Sequence, residues 1–152
     1  TMGFDACTIS RTNGRGIKLP WIQTWMRKIF RENKAISLYQ KVFRQPFHVY
    51  EYQEIQPFID LKSNLDLEFY PCVMPGWDNT PRSGLNGQVF NHPDPEIFEE
   101  HMRLAIKRVH ANPAEHKIII IKSWNEWAEG NHMEPDHRYG YGFLQAIRNA
   151  IS

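Results

Sequence analysis

The chain of 152 residues has only two cysteines, no long apolar run and almost no net charge. Cys7 and Cys72 lie far apart, without a Cys-x-x-Cys pair or a Cys/His ligand spacing, so we expect two buried free thiols. The longest aliphatic run is four isoleucines at 118–121, whereas a membrane span needs ~20 apolar residues. No signal peptide is visible after Thr1. We therefore expect a soluble protein without a membrane span, located in the cytoplasm.

Charge is nearly balanced, with 18 Lys and Arg residues against 17 Asp and Glu residues and a formal net charge of +1. A balanced chain has no long-range field that attracts nucleic acid or an anionic lipid surface. With 41% hydrophobic and 23% charged residues, the composition is that of a globular protein. We therefore expect a neutral or weakly charged ligand and no nucleic-acid partner.

Strand-like and helix-like patterns alternate along the chain. A helix is predicted to begin at the N-cap residue Asp94 and Pro95, with Phe98 and Met102 on its apolar face. The tryptophans of the first helix are expected in the core. Residues 36–52 favour short extended pieces around Pro46. The predicted strands are residues 4–9, 67–74 and 117–122, and the predicted helices are residues 21–30, 53–61, 94–111 and 141–151.

The isoleucines at 118–121 form a run that is apolar at every position. Such a run is typical of a strand that is buried on both faces, in a parallel sheet covered by helices. The alternation of strands and helices therefore predicts an α/β fold with parallel strands. Functional residues of such folds follow the carboxyl ends of the strands. This rule selects the loop after Met74 and the loop after Lys122.

The second of these loops concentrates two carboxylates, an amide and two tryptophans within residues 123–130. If Glu126 and Glu129 share a helical turn, their Cβ atoms lie ~5–6 Å apart. Carboxylate pairs of this kind suit glycosidic-bond chemistry, in which one carboxyl group protonates the departing oxygen. Repulsion between the two carboxylates, together with the neighbouring indoles, would help to keep one proton on the pair. The alternative is a solvated glutamate pair beside two core tryptophans.

The sequence gives weaker support for two other kinds of site, a metal site and a dinucleotide-binding loop. Glu129-Gly130-Asn131-His132 is a Glu-x-x-His motif, but di-iron sites of this kind need two such segments on long helices. Gly140-Tyr141-Gly142 is a partial match to a dinucleotide loop, without the third glycine or a preceding strand. We therefore expect no metal and no cofactor.

Three blocks of the sequence resemble the WbsX-type family, which occurs with bacterial polysaccharide and lipopolysaccharide gene sets and is labelled glycosyltransferase. The most specific block contains Asn-Glu-Trp-Ala-Glu-Gly. It is also similar to the Asn-Glu-Trp-His-Glu-Gly segment of the family 99 glycoside hydrolases, which are endo-α-mannosidases with a (β/α)8 barrel. Ala128 replaces the histidine of these hydrolases and follows the WbsX pattern. The blocks are residues 3–6, residues 71–82, and residues 124–136 with 139–146.

The resemblance implies a role for each glutamate. Glu126 matches the base that acts on the sugar 2-hydroxyl to form an anhydro-type intermediate. Glu129 matches the general acid/base that protonates the leaving oxygen and then activates water or an acceptor hydroxyl. Sugar hydroxyls and ring faces are further expected to contact Trp77, Asp78, Arg82, Trp124, Asn125, Trp127, Glu134, Asp136 and Tyr139.

We therefore expect a carbohydrate-active enzyme that acts on an oligo- or polysaccharide by transfer or hydrolysis. A barrel typically takes ~250 residues, so residues 1–152 are expected to form the C-terminal portion of one barrel domain. By this reasoning the isolated portion is inactive. The alternatives are a carbohydrate-binding module or inactive remnant, and a complete small α/β domain with an unrelated role.

Overall fold

The computed structural model of the chain describes residues 6–7, 20–54 and 68–152. The helices in these ranges are α1 (Trp21–Ile29), α2 (Glu32–Phe43), α3 (Thr80–Ser83), α4 (Pro95–Val109) and α5 (Gly142–Ile151). The strands are β1 (Ala6–Cys7), β2 (His48–Glu51), β3 (Glu68–Phe69), β4 (Cys72–Val73), β5 (Gln88–Asn91), β6 (Ile120–Ile121), β7 (Asn125–Glu126) and β8 (Asn131–His132). No helix in the described ranges is long and apolar enough to cross a membrane.

Three of the strand pairs are parallel. β1 pairs with β3, β2 pairs with β5, and β4 pairs with β6, in registers that include Cys72 opposite Ile120. The fourth pair, β7 and β8, is an antiparallel hairpin. Parallel pairs between segments distant in sequence need crossover connections, and α4 lies in the connection from β4 to β6. The structure is therefore a mixed arrangement of helices and parallel strands compatible with part of an α/β fold, and barrel closure stays a prediction.

The main core lies between α4, α5 and the strands β2, β4 and β5. The Asp94 side chain accepts a hydrogen bond from Glu96 N at 2.7 Å, and Pro95 is the first helical residue. This confirms the predicted start of α4. The predicted apolar face is also confirmed, because Phe98, Met102, Ala105 and Val109 are all buried.

The first two helices differ from the sequence prediction. α1 forms where periodicity predicted it, but its tryptophans are not in the core, since Trp21 is 80% exposed and Trp25 54% exposed. Residues 36–43, predicted as extended, belong to α2. The reason is a small second core in which Tyr39 packs on Phe47 at 5.2 Å between ring centroids. This contact outweighs the strand propensity of the β-branched residues. The extended piece after Pro46 does form, as β2.

The isoleucine run is only partly a strand and is not buried on both faces. Ile118 is 44% exposed, and the other three isoleucines are half-buried. Among the described strands, β6 pairs with β4 alone, so its second edge and part of its surface lack strand neighbours there. The strand predicted at 67–74 is interrupted between β3 and β4 at Tyr70-Pro71, because proline has no backbone N–H to donate.

Of the remaining predictions about secondary structure and cysteines, some are confirmed and others concern residues that the structure does not describe. The final helix is confirmed as α5, and Cys72 is a buried free thiol whose burial raises its pKa. Residues 52–54 form a 3₁₀ turn at the start of the predicted helix 53–61. The rest of that helix, the strand residues 4–5 and 8–9, and the Cys7 side chain lie outside the described residues.

We predict that His101 makes the fold sensitive to acid. His101 is 1% exposed and its ring lies 5.1 Å from that of Tyr52; burial lowers its pKa from 6.5 to about 4. Between these values the unfolded chain binds more protons than the folded chain, so stability is present above about pH 6.5 and falls as the pH drops through this window. Urea unfolding should show a loss of about 1–2 kcal/mol between pH ~7 and pH ~5 that is attributable to this residue.

The matched variants are His101→Phe, which removes the buried imidazole, and His110→Gln, which removes an exposed one. His101→Phe should flatten the pH dependence in this window, and His110→Gln should leave it nearly unchanged. An unaltered pH dependence in His101→Phe would show that another group is responsible.

Candidate functional site

The loop after β4 and the loop after β6 meet at the carboxyl ends of these neighbouring parallel strands. Asp78 N donates a hydrogen bond to Glu129 O at 2.7 Å. Gly130 packs against Asp78 with a φ of +53°, and a Cβ at Gly130 would lie 3.1 Å from Asp78 N. A Cβ at Gly76 would lie 3.1 Å from Gly130 O. A Cβ would therefore be crowded at both glycines, and the positive φ of Gly130 further favours glycine there; the two loops form one surface.

The carboxylate of Glu129 lies in this contact and pairs with Arg82. The Glu129 side chain is 13% exposed, whereas the Arg82 side chain, on α3, is 64% exposed. Asp78 does not pair with Arg82; its Oδ1 instead accepts hydrogen bonds from Thr80 N at 2.9 Å and Thr80 Oγ1 at 2.6 Å. The positive charge of Arg82 offsets the negative charge of the Glu129 carboxylate.

The helical turn expected to hold both glutamates begins one residue later than predicted. Trp127–Glu129 form a 3₁₀ turn, and Glu126 precedes it as the last residue of β7. Asn125 and Glu126 are exposed, opposite His132 and Asn131 of β8. Glu126 therefore lies on an exposed hairpin strand, and Glu129 lies at the more buried end of the adjoining turn.

A buried asparagine anchors this hairpin to β6. Asn131 is fully buried; its Oδ1 accepts from Ser123 N at 3.1 Å and its backbone O accepts from Ser123 Oγ at 2.7 Å. Trp124 O accepts from Met133 N at 2.9 Å and from Glu134 N at 3.1 Å. The exposed glutamate and tryptophans are thus carried on a well-bonded hairpin rather than on a loose loop.

Trp127 is held by two neighbours. Its ring stacks on His132, with centroids 3.7 Å apart and planes at 16°, and its Nε1 donates to Glu134 Oε2 at 2.5 Å. His132 Nε2 lies 3.0 Å from Asp136 Oδ2. These contacts fix the orientation of the indole, which is 49% exposed.

Asp136 connects this group to the start of α5. Burial disfavours its ionised form, but hydrogen bonds from Tyr139 N at 2.6 Å, from His132 and from Arg138 N at 2.8 Å outweigh burial and lower the pKa of Asp136. Burial raises the pKa of Tyr139, whose hydroxyl donates to Pro93 O at 2.5 Å. Glu134, Asp136 and Tyr139 therefore hold the long loop together.

A cavity of about 640 Å³ opens between these loops and the end of β5. Trp77 and Trp127 supply aromatic surface, and Lys122 Nζ lies 4.3 Å from the centroid of the Trp77 ring. Of the predicted site residues, those lining the cavity are Trp77, Asp78, Trp127, Asp136 and Tyr139. The other predicted residues, which do not line it, are Arg82, Trp124, Asn125, Glu126, Glu129 and Glu134.

Sequence reasoning missed two residues of this site. In the sequence, His132 stands out only as half of a metal motif, and Lys122 only as the end of a strand. No helical or strand period connects His132 with Trp127, so spacing alone gave no signal for their stacking. Among the described residues, no group of three or more His, Cys, Asp and Glu side chains could hold a metal ion. Glu129 is instead paired with Arg82, and His132 with Asp136.

The family described as "Glycosyltransferase WbsX" matches residues 1–147 of the chain. The chain belongs to the WbsX glycosyltransferase family. Two curated relatives, both called "Uncharacterized protein WxcX", come from Xanthomonas campestris pv. campestris strains B100 and ATCC 33913. Each is 36% identical over 105 residues, which cover 68% of this chain and 15% of the relative. No solved structure matches.

Membership of the WbsX family confirms the resemblance inferred from the three sequence blocks. The match covers the contacts that assemble the site, including Asp78, Arg82 and Glu129. The chain spans only about 15% of the length of the curated relatives that it matches, so the activity of a whole WbsX protein is a matter for proposal.

We predict that the contact between Gly130 and Asp78 stabilises the WbsX site. Gly130→Ala places a Cβ at positive φ, which costs about 1–2 kcal/mol, and forces it against Asp78, which costs about 1–3 kcal/mol more. Gly140→Ala is the matched control, because Gly140 has the same φ of +53° but no atom within 4 Å of the added Cβ. Urea unfolding should therefore show a larger decrease in the free energy of unfolding for Gly130→Ala than for Gly140→Ala. Equal losses would mean that the close approach of the two loops contributes nothing to stability.

Proposed function

We propose that this chain supplies the active-site portion of a carbohydrate-active enzyme that makes or cleaves glycosidic bonds in bacterial surface polysaccharide. The observation that carries the proposal is the junction of the two loops, where Glu129 is held beside Arg82 next to a cavity with aromatic walls. Indole faces stack on the C–H faces of sugar rings, and carboxylates act on the glycosidic bond. Membership of the WbsX family is in accord with a carbohydrate substrate.

We further infer that residues 1–152 are the C-terminal portion of a (β/α)8 barrel domain. In support, β1 with β3, β2 with β5, and β4 with β6 are all parallel, and barrel enzymes place their active sites at the carboxyl ends of such strands. Both loops of the site follow strands in this way. The remaining strands and part of the pocket would then come from other parts of a longer protein.

In the proposed reaction the two glutamates have different roles. Glu126, as the carboxylate, takes the proton of the sugar 2-hydroxyl while O2 attacks C1 and the bond from C1 to the leaving oxygen breaks. Glu129, as the carboxylic acid, gives its proton to that leaving oxygen. In the second step Glu129 takes a proton from water or from an acceptor hydroxyl, which attacks C1 and opens the anhydro ring, and O2 recovers its proton from Glu126.

Arg82 interacts differently with the two protonation states of Glu129. Its guanidinium pairs with Glu129 while that residue is a carboxylate. When Glu129 carries the proton, the charge that attracts Arg82 is gone, and the exposed guanidinium is free to bind sugar oxygens. The pair stabilises the carboxylate form of Glu129, which is the form that acts as the base in the second step. Whether water or a sugar hydroxyl completes the reaction decides between hydrolysis and transfer.

We predict that Glu126→Gln and Glu129→Gln each lower turnover by full-length protein at least ~100-fold, because each removes a proton-transfer group. Surface polysaccharides and sugar nucleotides should be offered separately, with product release followed by chromatography. Glu115→Gln is the control, since Glu115 is an exposed residue of another loop. Turnover of sugar nucleotides alone would exclude the hydrolase chemistry, and unchanged turnover in both glutamine variants would refute the proposed catalytic pair.

The second candidate function is carbohydrate binding without chemistry. Trp124 and Trp127 are 54% and 49% exposed, so part of each indole is open to a sugar ring. The pairing of Glu129 with Arg82 is also compatible with a purely structural carboxylate. A protein of this kind would bind polysaccharide and release no product, and Glu129→Gln would leave its affinity nearly unchanged.

We predict that Trp127 contributes to sugar affinity under either function. Trp127→Phe keeps an aromatic ring beside His132 but loses the hydrogen bond to Glu134, so Kd or KM should rise about fivefold. Trp127→Ala removes the sugar platform and should raise it further, with kcat less affected than in the glutamate variants. Calorimetric titration with polysaccharide fragments measures the effect. An unchanged Kd in Trp127→Ala would place the sugar elsewhere.

A further inference from the structure

The helices α1 and α2 each expose large apolar side chains that the proposed function does not use. We define the hairpin surface as the six apolar residues of these helices that are exposed in the described structure: Trp21, Trp25, Ile29, Leu38, Val42 and Phe43. Trp21 is 80% exposed and Val42 is 62% exposed. The catalytic proposal places its residues beyond β4 and β6, so the hairpin surface is a separate feature.

α1 buries Met26 in the second core but leaves both of its tryptophans exposed. Trp21, Trp25 and Ile29 recur every four residues and share one exposed face. The opposite face buries Gln23, which is 1% exposed, and its Oε1 has no hydrogen-bond partner among the described residues. Folded proteins normally bury tryptophan and expose glutamine. A helix that does the opposite has its large apolar side chains available for another surface.

The segment that contains α1 and α2 also differs in net charge from the whole chain. Between Pro20 and Arg44 there are six basic residues and one acidic residue, although the net charge of the whole chain is only +1. The single acid, Glu32, pairs with Arg27. Lys28 lies one turn after Trp25 on the exposed side of α1. The other basic residues, all exposed, are Arg31, Lys34, Lys41 and Arg44.

We propose that the hairpin surface docks this protein on the surface of a bilayer that contains anionic phospholipid. Helices that lie in a membrane interface combine an apolar face rich in tryptophan with lysine and arginine beside it. Indole rings favour the headgroup level, and cationic side chains are attracted to anionic lipid. Neither helix is long enough to cross the membrane, so the helices lie on the bilayer and do not span it.

This proposal differs from the expectation drawn from net charge. A balance of 18 against 17 charges removes a long-range field of the whole molecule, but a local excess acts within the Debye length of ~8–10 Å. Arg27 and Lys28 lie within one helical turn of Trp25 on α1. The electrostatic attraction to anionic lipid and the insertion of tryptophan side chains into the headgroup layer would therefore act at the same surface.

The test is flotation of the full-length protein with vesicles of phosphatidylcholine alone and with vesicles of phosphatidylcholine mixed with phosphatidylglycerol. We expect binding to the mixed vesicles, weak binding to phosphatidylcholine alone, and weaker binding to the mixed vesicles as salt is raised, because salt screens the charges. Tryptophan fluorescence should shift to shorter wavelength on binding.

Matched variants separate the hairpin surface from the rest of the protein. Trp25→Gln should weaken binding to mixed vesicles several-fold, whereas Trp124→Gln should not, although both indoles are 54% exposed. Lys28→Glu with Lys34→Glu should weaken it about tenfold or more, at ~1 kcal/mol per cationic residue near the surface. Lys107→Glu, an exposed lysine of α4, is the charge control. Circular dichroism verifies folding, and the salt dependence of the unaltered protein needs no variant.

Three results would overturn the proposal. The first is that the full-length protein binds neither vesicle, which would mean that other parts of a longer chain cover the hairpin surface. The second is equal loss of binding in Trp124→Gln and Trp25→Gln. The third is a concentration-dependent dimer that Trp25→Gln abolishes, since the surface would then be occupied by a second copy. None of these results depends on catalytic turnover.

Discussion

The backbone hydrogen bond from Asp78 N to Glu129 O joins the two loops on which the candidate site is built. Gly130 favours this close approach, because a Cβ there would lie only 3.1 Å from Asp78 N. Once the loops are joined, Arg82 reaches the Glu129 carboxylate, and Trp77 and Trp127 line the same cavity.

The strands and the hairpin β7–β8 hold this junction in place. β4 and β6 are short, but they are parallel neighbours, so the loops that follow them leave the same edge. Asn131 then ties the hairpin to Ser123, immediately after β6. The exposed side chains of Trp124 and Glu126 are therefore positioned by backbone hydrogen bonds of the hairpin and by the buried side chain of Asn131. This arrangement suits a site that presents side chains to a large polymer.

The sequence predicted the parts of the fold that depend on local signals. The N-cap Asp94 and the apolar spacing from Phe98 located α4, and the carboxyl-end rule selected both loops of the site. The predictions for α2 and for the first tryptophans were wrong, because the packing of Tyr39 on Phe47 and the direction in which α1 faces depend on distant contacts. The pairing of Arg82 with Glu129 was missed for the same reason, as the two residues are far apart in sequence. The specific Asn-Glu-Trp-Ala-Glu-Gly block identified the family before any of these contacts was known.

The most direct test of the account is an experimental structure of the full-length protein with a bound oligosaccharide fragment. The account predicts a sugar ring against Trp127, with its glycosidic oxygen within hydrogen-bond distance of the Glu129 carboxyl group and its 2-hydroxyl within reach of Glu126. It also predicts that Asp78 and Glu129 remain joined through their backbones. An oligosaccharide bound away from the junction of the two loops, or one that contacts the tryptophans with both glutamates beyond reach of the glycosidic bond, would contradict it.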